Sequence, residues 1–220
     1  MSEIQVESSH YFKGYDTPLR WLSYKIQGQT ALKYVSGRVL EIGIGNKTVS
    51  NYLKSFGLKL ITCDYDISLK PDIVCDICNL PFKRNSFNTV LCFEILEHLS
   101  YKKIQNVLEK LKTLTVGHLI ISVPHFFGFY GEFQFKIPGI SRKTLKLHLP
   151  YPYAKITAAG HCWELGRRGS PANRFRRTIG SAGLQIHEEK ILSSESFHRV
   201  MIGFSIFIEL HHYFVIKKKE

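Results

Sequence analysis

Short runs of β-branched and aliphatic residues alternate with stretches of helical spacing over much of this chain. The runs are Val39–Ile42, Leu58–Cys63, Asp72–Cys75, Asn88–Phe93 and Gly117–Val123, with the length and apolar content of buried strands. Between them, Thr48–Phe56 sets Val49, Tyr52, Leu53 and Phe56 on one helical face and ends at Gly57. Ile104–Leu114 likewise aligns Ile104, Val107, Leu108 and Leu111. Upstream, Thr17 and Pro18 form a helix start, and Leu19, Leu22, Ile26, Ala31 and Val35 follow at helical spacing. Gly28 is expected to interrupt that helix and Gly37 to end it. Downstream, Ser170-Pro171 opens a helix through Ile179 that Gly183 closes. Leu184–Ile191 reads as a sixth strand and Tyr213–Lys217 as a seventh, with a packed helix expected over Phe197–Leu210. Strands alternating with helices predict a parallel α/β sheet covered on both faces.

Residues 126–170 break the alternation. Phe126, Phe127, Phe129, Tyr130, Phe133 and Phe135 crowd together with Gly128 and Gly131, then prolines and lysines follow. An irregular insertion here reads either as a lid at the mouth of a site or as a satellite cluster capping the sheet.

The first apolar run ends in Glu41-Ile42-Gly43-Ile44-Gly45. The glycines permit a tight strand-to-helix turn and a close approach to the backbone, and the next helix opens its amides toward the same crevice. A dinucleotide fingerprint fits poorly, because Thr48 holds its third glycine position, and no P-loop pattern is present. A carboxylate two residues before the turn draws a cationic or hydroxyl-bearing ligand and repels phosphate. Asp64 follows Gly43 by 21 residues, where a doubly wound unit places an acid for ribose hydroxyls. Asp76, Glu94 and His125 also fall at the carboxyl ends of runs, where such sheets bind ligands.

At 220 residues the chain is expected to be a single domain, residues 1–220, with an N-terminal helical cap over 1–36. A hydrophobic content of 44% and a charged content of 22% are those of a globular protein. The first ten residues lack a basic-then-apolar leader and no apolar run is long enough to span a bilayer, so a cytoplasmic setting with reduced thiols is expected for the five cysteines. The net charge of +12 changes the picture most: it favours an anionic partner such as nucleic acid, or is a solvated basic surface. Lys217-Lys218-Lys219 leaves peripheral membrane contact open.

Taken together, these motifs resemble those of the class I S-adenosylmethionine-dependent methyltransferases. Val39-Leu40-Glu41-Ile42-Gly43-Ile44-Gly45 is similar to their first motif, Asp64 to their ribose acid, and Asp76-Ile77 with Leu80-Pro81-Phe82 to their adenine-side segment. Cys92-Phe93-Glu94-Ile95-Leu96-Glu97-His98-Leu99 resembles the segment after their fourth strand. Ser122-Val123-Pro124-His125, Gly160-His161 and the arginine-rich helix before Gly183 are similar to a subgroup acting on quinones, glycans, lipids and small metabolites. One departure is Lys47, where the family usually has a third glycine.

The resemblance implies a doubly wound, mostly parallel sheet of order 3-2-1-4-5-7-6 with the seventh strand antiparallel, and S-adenosylmethionine as cofactor. It implies that Glu41 holds the methionine amino group beside Gly43, Gly45 and Asn46. Asp64 would take the ribose hydroxyls, Tyr65 would pack on adenine, Asp76 and Ile77 would bond its ring, and Glu94 would line the site. The acceptor class is open between a small, lipid-linked or glycan-type molecule and RNA, and a non-catalytic cofactor-binding partner subunit is a further alternative. A base is required only where the acceptor must lose a proton, with His125, His98 and His161 as candidates or as structural histidines. No metal site is expected, since Cys75-Asp-Ile-Cys78 alone does not supply four ligands.

Overall fold

The computed structural model describes residues 11–12, 16–126, 129–135, 143–149, 156, 160–167, 169–191 and 209–219. Helix α1 (Pro18–Tyr34) starts where the sequence predicts it: the Thr17 side chain accepts the Arg20 amide at 3.3 Å and Pro18 fills the first turn. Gly28 does not interrupt it. A Cβ there would lie 2.7 Å from the Tyr52 ring, so this glycine is the point where α1 meets helix α2 (Thr48–Ser55).

Seven strands form one sheet: β1 (Val39–Ile42), β2 (Leu60–Asp64), β3 (Ile73–Val74), β4 (Phe87–Phe93), β5 (Thr115–Phe126), β8 (Leu184–Ile191) and β9 (Glu209–Lys218). Their order is β3-β2-β1-β4-β5-β9-β8, and β9 runs antiparallel to both of its neighbours. This is the expected 3-2-1-4-5-7-6 arrangement, with the last strand inserted between the fifth and sixth. β3 is shorter than its apolar run because Asp72 Oδ2 takes the Thr62 amide at 2.8 Å and the Thr62 hydroxyl at 2.7 Å, replacing ladder bonds with side-chain bonds.

Two further expectations need correcting. The stretch after β5 is not irregular throughout: β6 (Phe129–Phe135) and β7 (Lys143–Leu149) pair as an antiparallel hairpin, from Phe129 opposite Leu149 to Phe135 opposite Lys143. Glu209 and Leu210 belong to β9 rather than to a helix, while the rest of the predicted 197–210 helix lies outside the described residues.

Side chains alternate between two cores. Leu40, Ile42, Cys92, Ile121 and Phe214 face helices α3 (Ile104–Leu114) and α4 (Ala172–Ser181). Val39, Leu91, Phe93, Ile120 and Val215 face α1 and α2 through Ala31, Val49 and Leu53. Covering both faces explains why the strands read as unbroken apolar runs. Phe175 of α4 is fully buried between Trp163 and Phe214, with ring centroids 5.6 and 5.1 Å away. Phe175→Ala is expected to cost about 3–5 kcal/mol of folding stability. Urea denaturation should show this as a lower midpoint with an unchanged slope.

Candidate functional site

β1 delivers Glu41 and the two glycines to the carboxyl edge of the sheet. Gly43 takes φ 75° and donates its amide to the Cys63 carbonyl at 2.8 Å, which ties the turn to β2. A Cβ on Gly43 would lie 1.9 Å from Ile95 Cδ1. Gly45 (φ 47°) follows, then Lys47, a left-handed residue (φ 63°) where the family motif has glycine; its ammonium donates to the Lys70 carbonyl at 2.8 Å. Asn46 accepts the Thr48 amide at 3.1 Å in the turn that leads into α2, and its amide group donates to Asp16 and to the Tyr24 hydroxyl, each at 3.0 Å.

Glu41 is 3% exposed and accepts the Ser50 hydroxyl at 2.6 Å. Burial pushes its pKa up to about 7, against the pull of Ser50 and Lys54. Asp64 ends β2 and accepts the Ile44 amide at 2.8 Å through one oxygen and the Asp66 amide at 3.0 Å through the other. Burial also raises its pKa. Tyr65 beside it is 37% exposed. Asp76 turns back on its own loop to accept the Cys78 amide at 2.7 Å, and Ile77 is buried.

Glu94 ends β4 in a left-handed conformation (φ 55°) that aims it across the sheet. It accepts the Ser122 hydroxyl at 2.6 Å and His211 Nδ1 at 2.8 Å. Burial alone would raise its pKa, but His211 and these bonds hold it below the ordinary glutamate value.

The three histidines separate into two groups. His125 stacks on His212 with Nδ1 atoms 3.0 Å apart, and His212 Nε2 lies 2.5 Å from Glu189. Burial lowers the His212 pKa to about 4, so that ring stays neutral. His98 and His161 instead meet edge to face, 5.0 Å between centroids. His98 Nδ1 donates to the Gly160 carbonyl at 3.1 Å, and His161 Nδ1 donates to Glu164 at 3.0 Å. Glu164 is itself paired with Arg167. Burial raises the Glu164 pKa, but His161 and Arg167 outweigh it and hold that carboxyl below its ordinary value.

Close to both His98 and His161 lies Glu97, which the sequence did not single out. It is fully buried, and no other described residue donates a hydrogen bond to either oxygen. Ligand atoms of Glu97, His98 and His161 all lie within 4.8 Å of one another. The sequence clue was weak, since an acid inside Ile95-Leu96-Glu97-His98-Leu99 reads as the solvent side of a helix; the chain instead makes a tight turn, Leu96–His98, that buries it.

A sequence model of the family described as "Methyltransferase domain" matches residues 40–117. An uncharacterized protein of Methanocaldococcus jannaschii is 33% identical over 90 residues, 39% of this chain. The chain spans about two fifths of the length of that curated relative, since the match covers 40% of it. Among solved structures, the Burkholderia thailandensis 1,6-didemethyltoxoflavin-N1-methyltransferase, with bound 1,6-didemethyltoxoflavin and S-adenosylhomocysteine, has TM-score 0.59 at 12% identity; 96% of this chain and 85% of that one align. The glycopeptide N-methyltransferase MtfA with S-adenosylmethionine has TM-score 0.57 at 16% identity over 89% of this chain and 93% of its own. A methyltransferase of Clostridium acetobutylicum has TM-score 0.57 at 10% identity over 96% of both chains.

This is the class I methyltransferase fold. In a class I methyltransferase fold the ligand crevice lies beyond the carboxyl ends of the strands. Glu41, Asp64, Asp76, Glu94 and His125 stand at or beside those ends here.

The raised pKa of Glu41 makes a stability prediction with a definite sign. Its pKa is about 7 in the fold against 4.5 when unfolded, so the folded protein holds the extra proton between those values and loses stability as pH rises through them. Glu41→Gln removes that loss. Denaturation midpoints of variant and parent should differ little at pH 5 and favour the variant at pH 8, by up to about 3 kcal/mol.

Proposed function

We propose that this protein binds S-adenosylmethionine over β1–β4 and transfers its methyl group to an acceptor by in-line displacement. The carrying observation is Glu41, a buried carboxylate with its pKa driven up to about 7, behind a turn with no side chains on Gly43 and Gly45. Lys54 only partly offsets the burial of this carboxylate, and an amino-acid ammonium near it would restore the charged form. Among the described residues, its chain neighbours aside, a Cβ on Gly45 would meet only the Tyr11 ring, at 3.6 Å, so the loop leaves room for a ligand. Each Asp64 oxygen keeps a lone pair beyond its amide bond for ribose hydroxyls.

When bound, the sulfonium supplies a methyl group that is already activated. The remaining work belongs to the chain: orienting the acceptor and excluding water. The β6–β7 hairpin, rich in aromatic residues and following directly on β5, is suited to cover the acceptor. His125 at the end of β5 is the group we assign to take up a proton where the acceptor must lose one; the neutral ring of His212 stacked on it sets no positive charge against the imidazolium that forms. A small, lipid-linked or glycan-type acceptor fits this reading. The net charge of +12 favours a second one, RNA held through its phosphates. Free thiols at Cys63, Cys75, Cys78, Cys92 and Cys162 suit a cytoplasmic setting. No helix among the described residues is long and apolar enough to cross a membrane.

Calorimetry with S-adenosylmethionine should show binding, weakened about tenfold or more by Glu41→Gln, the scale of one hydrogen bond to a charged group. Absence of heat and of any thermal shift with the parent protein would overturn the reading. Filter binding to bulk RNA across a salt series separates the acceptor classes: a steep fall in affinity with salt marks RNA, and no retention marks a small molecule.

A further inference from the structure

We infer that Glu97, His98 and His161 form a binding site for a divalent first-row transition-metal ion. Three observations, independent of the cofactor, converge on it. First, Glu97 is fully buried, and among the described residues no other one gives either oxygen a hydrogen bond. An uncompensated carboxylate in such a place is costly to hold charged, and a cation removes that cost. Second, its ligand atoms and those of the two histidines lie within 4.8 Å of one another, the spacing of groups that share one ion. Third, both imidazoles are oriented as metal ligands are. His98 gives its Nδ1 proton to the Gly160 carbonyl and His161 gives its own to Glu164, so each ring carries its lone pair on Nε2. Glu164 is in turn anchored by Arg167.

Two imidazoles and one carboxylate suit manganese, iron, cobalt or zinc better than magnesium or calcium, which prefer all-oxygen sites. Three protein ligands leave coordination positions open. On the methyltransferase reading above, and on that reading alone, those positions would take oxygen donors of the acceptor, making hydroxyl-bearing acceptors the favoured class. The ion site itself does not depend on it.

The full chain, stripped with a chelator, is dialysed against micromolar cobalt or manganese and its metal content measured by mass spectrometry. About one ion per chain is expected, with a rise in the melting temperature on adding the ion. Glu97→Gln and His161→Gln should each weaken binding at least about tenfold, and Glu164→Gln, which only orients His161, by about 10–100-fold. Circular dichroism without metal checks that each variant folds, and either ligand variant suffices if the other does not. A Cys75→Ser/Cys78→Ser chain should keep its ion and show no thiolate band in the cobalt spectrum. No bound ion in the parent, or an ion that survives both ligand substitutions or leaves with the cysteines, would overturn the assignment. S-adenosylmethionine calorimetry on the same samples reports the cofactor separately, so the two readings fail independently.

Discussion

The turn from β1 into α2 depends on a hydrogen where every other residue has a carbon. Gly43 sits in a left-handed conformation with Ile95 packed against the position its Cβ would occupy. Its amide reaches across to Cys63, and the next amide, that of Ile44, reaches Asp64. One residue without a side chain therefore brings together the ends of β1, β2 and β4. The buried acids gathered around it stand in fixed relation because that contact is so close. A methyl group at Gly43 would push Ile95, and with it the turn carrying Glu97 and His98, away from the glycine loop.

The acids so assembled differ in how they are satisfied, and that difference sorts them by role. Asp64 accepts one amide of the glycine turn and one of its own loop, Asp76 accepts an amide of its own loop, and Glu94 is secured by Ser122 and His211. These bonds fix loop paths. Among the described residues, Glu41 has one hydroxyl partner and Glu97 has no donor from another residue. In a well-packed protein, buried carboxylates left short of partners are exceptions, and both lie where the sheet opens to ligands.

Much of this was legible in the chain because parallel strands buried on both faces cannot hide: Leu40, Ile42, Val90 and Ile121 must be apolar wherever the strand is covered. The Gly-x-Gly turn and the acids at strand ends were legible for a related reason, since only special residues tolerate those places. The hairpin β6–β7 was not, because its glycines suggested loop and its pairing is settled between distant residues. Gly28 misled in the same way: its reason is the ring of Tyr52, far off in sequence. Glu97 was missed because its burial arises from a tight turn, while its neighbours read equally well as one side of an exposed helix. Long-range contact, rather than local preference, decided each of these.

The inner position of β9 carries a consequence for the order of events during synthesis. β8 leaves the ribosome first, yet it touches the sheet only through β9. The cleft-forming strands can therefore associate while β8 waits without a hydrogen-bonded neighbour. Docking of β9 against β5 then supplies the seat for β8, and it brings His211 to Glu94 in the same movement. Maturation of the β4 end of the crevice is thereby timed to the arrival of a segment made more than a hundred residues later, 117 positions beyond Glu94.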